Sequence, residues 1–236
     1  QAPRDDRVGV GRFARWQRGP AIVQYSRDIL DEFGAPELSD LTICGAGELP
    51  DLPNHLGAAI WGHIAGTKHP DASVRHLDLA FLRRSNAAAE EYNAGRRDLL
   101  RYIDGINRGE HQLQAFLSAL THFEQCLNWV WQAAELFDRM EKRVLQIAST
   151  KATLFRSGDG TDLNRINKLN GVAKHFSASQ AERTSTPIWI TNVGLKCEGA
   201  DLTFDELREN IVALFDVARQ LFVEIPAEAV ARAKQR

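Results

Sequence analysis

The chain has 236 residues, 44% of them hydrophobic and 25% charged, with a formal net charge of −2. That is globular usage, long enough to bury a sizeable core, and it argues against a disordered polyelectrolyte and against an overall basic footprint for duplex nucleic acid. Its three cysteines, Cys44, Cys126 and Cys197, are odd in number and far apart; they argue against a disulfide framework or a cysteine-pair zinc site and predict a reducing, cytoplasmic setting. No run of about eighteen apolar residues predicts a membrane span. The opening Gln1-Ala2-Pro3-Arg4-Asp5 lacks the apolar core of a signal peptide.

In chain order, residues 1–20 carry Arg4, Arg7, Arg12, Arg15 and Arg18 against Asp5 and Asp6, the composition of a basic arm. Ile22, Tyr25, Ile29, Leu30 and Phe33 recur at helical spacing, and Gly34 and Pro36 stop that pattern. Residues 38–53 read as a loop with at most one short strand at 41–44, and 54–66 as a short helix. Ser73 is placed to cap a helix over 74–107, whose apolar side holds Leu77, Phe81, Leu82, Ala88, Tyr92, Leu99, Ile103 and Ile106. Gly95 is expected to kink or divide it.

Residues 111–148 carry the strongest periodicity. Phe116, Leu120, Phe123, Leu127, Val130, Ala134, Phe137 and Val144 return at threes and fours with no Pro or Gly between them. At ~1.5 Å per residue this helix would span on the order of 50 Å. Trp129 and Trp131 widen its apolar face, which predicts neighbours on more than one side. Gly158-Asp159-Gly160 is a turn, after which Thr161 or Asp162 caps a helix over 163–177. Residues 187–197, with Ile188, Trp189, Ile190 and Thr191, favour a short strand, a hairpin fragment or a rigid extended loop. Thr203-Phe204-Asp205-Glu206 is a capping box that starts a helix ending near Val223, and Pro226 precedes a polar tail. The predicted fold is mainly α: a helical bundle around the long helix at 111–148, with at most a short strand or hairpin near 187–197. The predicted organisation is an arm (1–20), N-terminal helices and loop (21–73), the bundle (74–225) and a tail (226–236).

Few chemical motifs are present. Gly9-Val10-Gly11-Arg12-Phe13-Ala14 matches G-x-G-x-x-A, but no predicted strand precedes it, so a dinucleotide site is not expected. No histidine has a Glu three residues before it, which argues against a di-iron bundle. His55, His63, His69 and His76 are read as turn and surface positions, and neither a metal nor a cofactor is expected. His122 and Glu124 do not share a helix face and are not a local pair. The segment 164–176, Asn164-Arg165-Ile166-Asn167-Lys168-Leu169-Asn170-Gly171-Val172-Ala173-Lys174-His175-Phe176, is richer. Ile166, Leu169 and Val172 would bury one side while Asn, Lys and Arg line the other. An imidazole beside a cation suits acid–base work on a phosphodiester. A solvated helix face ending in a dipole-favoured histidine fits the same residues.

Over residues 75–223 the chain resembles the HEPN superfamily of small helical bundles. The resemblance lies in the long helix with Leu120-Thr121-His122-Phe123-Glu124-Gln125-Cys126, the helix ending Leu169-Asn170-Gly171-Val172-Ala173-Lys174-His175-Phe176, and the segment Pro187-Ile188-Trp189-Ile190-Thr191-Asn192-Val193-Gly194-Leu195, which looks like one in bacterial members. Active members are metal-independent ribonucleases that usually dimerise, with a motif of Arg, a polar residue, about four more residues and His. The resemblance assigns Asn170 to the polar position and His175 to the acid or base. The arginine position falls on Leu169, which cannot hold a phosphate, so Arg165 or Lys168 stands in as phosphate ligand. His122 is read as a supporting position.

Three readings follow. One is a HEPN-like protein of bacterial defence or toxin–antitoxin type, a homodimer acting on RNA or a non-catalytic member that binds a cognate antitoxin. The second is a non-enzymatic dimeric interaction module using Trp129, Trp131 and Phe137. The third is a small-molecule-binding bundle with a pocket lined by Trp61, Trp129 or Trp189.

Overall fold

Periodic apolar residues produce two long helices that pack as an antiparallel hairpin. The computed structural model describes residues 40–57, 59–60, 72–110, 112–145, 160–174, 188–197 and 199–222. Helix α1 runs Ala72–Asn107 and helix α2 Leu113–Leu145. The fold is mainly helical, as the sequence predicts, and the long helix α2 packs against α1 along its length. The ring pairs Tyr102–Phe116, Tyr92–Phe123 and Phe81–Phe137, with centroids 5.3, 5.9 and 6.1 Å apart, take the two helices in opposite directions. The turn between them is closed by Gly109, whose φ of 77° is left-handed, and by the Glu110 amide donating to the Gly105 carbonyl at 2.8 Å. This is how a helix end satisfies its last carbonyls.

Helix α1 passes through Gly95 undivided, contrary to the expected break. Gly95 is buried, and a Cβ there would stand 3.2 Å from the Phe123 ring. The glycine brings the helices together and leaves α1 continuous. Ser73 lies inside the first turn of α1 and is not its cap, since the helix begins one residue earlier.

Helix α3, Asp162–Lys174, packs mainly on α2. Of its two candidate caps, Thr161 acts: its hydroxyl accepts the Asn164 amide at 3.2 Å. Three short antiparallel strands follow in the order β1 (Trp189–Ile190), β2 (Gly194–Cys197), β3 (Ala200–Thr203). In register, Ile190 faces Leu195 and Leu195 faces Leu202. The sheet has one strand more than the predicted hairpin. A Cβ on Gly194 would stand 2.1 Å from the Leu202 carbonyl oxygen, so only glycine fits at that crossing.

The predicted capping box then starts α4, Phe204–Phe222. The Thr203 amide donates to Glu206 Oε2 at 2.8 Å and the Glu206 amide to Thr203 Oγ1 at 3.1 Å. Phe204, Leu207, Ile211, Leu214, Phe215 and Ala218 bury one side of α4. The Phe204 ring meets Phe123 at 5.0 Å, which puts Phe123 where α1, α2 and α4 converge. Each of the Phe, Leu and Ile side chains contributes about 1.5–3 kcal/mol by leaving water.

The stretch 41–44 is not a strand. Its amides are taken by a side chain: Thr42 and Ile43 both donate to Asn192 Oδ1 at 2.9 Å, while Asn192 Nδ2 donates to the Asp40 carbonyl at 2.9 Å. Of the short helix expected over 54–66, residues 56–57 and 59–60 are helical. The expected arm at 1–20, the helix at 21–33 and the tail beyond 222 lie outside the described residues. Among the described residues, no helix is long and apolar enough to cross a membrane.

Candidate functional site

Seven residues are two helical turns, so Glu91 and Asp98 share one face of α1. Ser118 and His122, four apart, share one face of α2. The hairpin brings these faces together. His122 Nδ1 is 2.6 Å from Glu91 Oε2, and its Nε2 is 3.7 Å from Asp98 Oδ2. Asp98 is held from both sides: Ser118 Oγ donates to Oδ2 at 2.5 Å and Arg101 Nη1 to Oδ1 at 2.9 Å. Asp98 is the most enclosed of the three, with 14% of its side chain exposed against 33% for His122 and 29% for Glu91.

This arrangement fixes an imidazole between two carboxylates at a solvent-reachable position. Such a ring can hold a proton and pass it on. It is not a nucleophile–base pair, because the Ser118 hydroxyl donates to Asp98 and not to the ring. Among the described residues, no group of three or more His, Cys, Asp and Glu side chains is disposed to hold a metal ion. Behind the site, burial and then the Glu91 carboxylate push the Cys126 thiol well above its ordinary value, which fits a buried structural cysteine.

The residues predicted for phosphodiester chemistry lie on α3, and most are already engaged. Arg165 Nη2 donates to Asp162 Oδ1 at 2.5 Å and to Glu206 Oε1 at 2.6 Å, while its Nη1 donates to the Gly160 carbonyl at 2.8 Å. Arg165 thereby ties the start of α3 to the start of α4. Lys168 Nζ reaches the Gly199 carbonyl at 3.3 Å. Leu169 is fully buried in the core. Asn170 is also buried, 3% exposed, and its Oδ1 has no hydrogen-bond partner among the described residues. His175 lies outside the described residues. None of Arg165, Lys168 or Asn170 is among the partners of His122, which come from α1.

Sequence reasoning singled out His122 and missed Glu91, Asp98, Ser118 and Arg101. The signal was available in two spacings, seven on α1 and four on α2, and needed the hairpin register to become a site. His122 and Glu124 are indeed no pair, since the ring takes Glu91. Of the four early histidines, His55 departs from the surface reading: it is buried, and its Nε2 has no partner among the described residues. His76 is exposed as expected, and His63 and His69 lie outside the described residues.

The aromatic residues expected at an interface or pocket are partly used inside the fold. Phe137 packs on Phe81, and Trp129 lies under the Arg84 guanidinium at 5.0 Å. Trp189 packs near Phe116 at 6.5 Å. Phe116 and Trp129 are about 20 Å apart along α2, so Trp129 and Trp189 do not line one pocket. Trp61 lies outside the described residues. No family model, no curated protein and no solved structure matches the chain.

Proposed function

We propose that the chain is a HEPN-like helical protein of bacterial defence or toxin–antitoxin type that acts by binding a cognate protein, as a homodimer, and does not cut RNA. One observation carries this reading. Arg165, the arginine best placed to replace the family's phosphate ligand, spends both terminal nitrogens on Asp162, Glu206 and the Gly160 carbonyl. A phosphate would have to displace two carboxylates that also organise α3 and α4. The burial of Leu169 supports the same reading, because an arginine there would carry its charge into the core.

A second reading is favoured by His122. Its ring is oriented by Glu91 and reachable from solvent, as a general base requires. In that reading the chain is a metal-independent ribonuclease working from His122 or His175.

The test is incubation of the full chain with labelled RNA in EDTA, beside His122→Ala and His175→Ala. The expected result is no cleavage above the variants' background, with light scattering giving a dimer. Cleavage by the wild type that disappears in either variant would overturn the binding-only reading.

A further inference from the structure

The loop Cys44-Gly45-Ala46-Gly47-Glu48 lies against α1 and α4, and two arginines meet there. Arg96 on α1 donates from Nε to the Ala46 carbonyl at 2.9 Å and from Nη2 to Glu48 Oε1 at 3.1 Å. Tyr92, one turn earlier, donates its hydroxyl to the Gly47 carbonyl at 3.0 Å. These contacts account for how the loop is held. They do not account for Arg208.

Arg208 comes from α4 and makes no hydrogen bond to the loop. Its Nη1 nevertheless stands where a Cβ on Gly47 would be 2.6 Å away. Residue 47 therefore lacks a side chain where a guanidinium fits. The partner of Arg208 is Asp205, one turn back, at 3.0 Å through Nη2. Its Nε and Nη1 donate to nothing among the described residues. Arg96 and Tyr92 hold the Ala46 and Gly47 carbonyls, and Arg208 Nη1 stands beside Gly47, which places the two positive charges at one loop.

The charge balance at this spot is uneven. The arginines are drawn in, with 24% and 35% of their side chains exposed, while their counterions Glu48 and Asp205 are 80% and 69% exposed. Carboxylates so open to water hold a cation weakly. A compact anion that reaches both guanidiniums competes well with them, because planar N–H forks match phosphate oxygens two at a time. Charge-assisted donors left over on Arg208, and a glycine that admits its head, are what such a ligand needs.

We propose that Arg96 and Arg208, meeting at the Gly45–Gly47 loop, form a binding site for a small phosphate-class oxyanion, either inorganic phosphate or a phosphate monoester. The site is separate from the His122 cluster, and the inference does not depend on the partner-binding reading.

The experiment uses the full chain, with thermal melts and calorimetric titration of inorganic phosphate and of glycerol 3-phosphate at constant ionic strength against chloride. A melting temperature that rises with either ligand is expected in the wild type and in Arg139→Gln, whose guanidinium pairs with Glu135 elsewhere. In Arg208→Gln the affinity is expected to fall about tenfold or more. Tighter binding of the monoester would assign the ligand to that class; equal binding would assign the bare anion. If Arg208→Gln does not fold, by circular dichroism, Gly47→Ala takes its place, since its methyl displaces the Arg208 head and the same loss of affinity is expected. No rise in the wild type, or an equal rise in the loop or arginine variant, overturns the site.

Discussion

Glu124 sits partly buried on α2, and burial pushes its carboxyl above the ordinary value. A carboxyl raised on folding ionises first in the unfolded chain. Its cost to the fold is absent at low pH, grows as pH rises through the unfolded value, and is complete above the folded one. Glu124→Gln is therefore expected to raise the melting temperature at pH 7 and to leave it nearly unchanged near pH 3. Melts at the two pH values check this; equal shifts at both would contradict it. Leu169 and Arg165 give the opposite lesson about single residues. The apolar spacing marks Ile166 and Leu169 as buried on α3, with Val172 half-buried, but Asn164 and Asn170, expected on the polar side, are buried too. The fate of Arg165 could not be read from that spacing. Its second carboxylate, Glu206, is 41 residues away and arrives only when α4 docks.

The start of α4 is both an element boundary and a charged junction. Burial alone would raise the Glu206 carboxyl, but hydrogen bonding to Thr203, main chain and side chain, together with Arg165, outweighs it and holds the carboxyl below its ordinary value. A lowered carboxyl contributes stability above its unfolded value, and that contribution is lost as pH falls through the folded one. Thr203→Ala is expected to cost about 1 kcal/mol at pH 7 as a lost cap. Glu206→Gln should cost more at pH 7 because Arg165 also loses a partner, and its deficit should shrink below pH 4. Urea unfolding across that range measures both. This cap was legible because it is local in sequence, and so were the long helices, whose apolar residues repeat over nine or ten turns. Strand β3 was not. Ala200-Asp201-Leu202-Thr203 is four residues long and merges into the capping box, so its extended character comes from pairing with β2. The His122 cluster was illegible for a related reason: the register between α1 and α2 decides which polar residues meet, and no periodicity within one helix reports it.

Across the whole molecule, the two long helices supply the frame and Asn192, between β1 and β2, fastens a distant segment. One amide side chain makes three hydrogen bonds to residues 40–43. Asn192→Ala is expected to cost about 1–3 kcal/mol and to release the loop selectively. Limited digestion with thermolysin should then cut within 41–49 faster than in the wild type, while a fragment holding α1 and α2 persists. Equal cutting rates would show that Tyr92 and Arg96 hold the loop unaided. The fastening also orders events during translation. Thr42 and Asn192 are 150 residues apart, so the loop leaves the ribosome long before the side chain that secures it. At about 5–20 residues per second that interval is roughly 8–30 s. Through it the hairpin can form by contacts near in sequence, whereas the Thr42 and Ile43 amides stay open to chaperones or to a second nascent chain. Asn192 thus determines when the segment around Thr42, made 150 residues earlier, is protected.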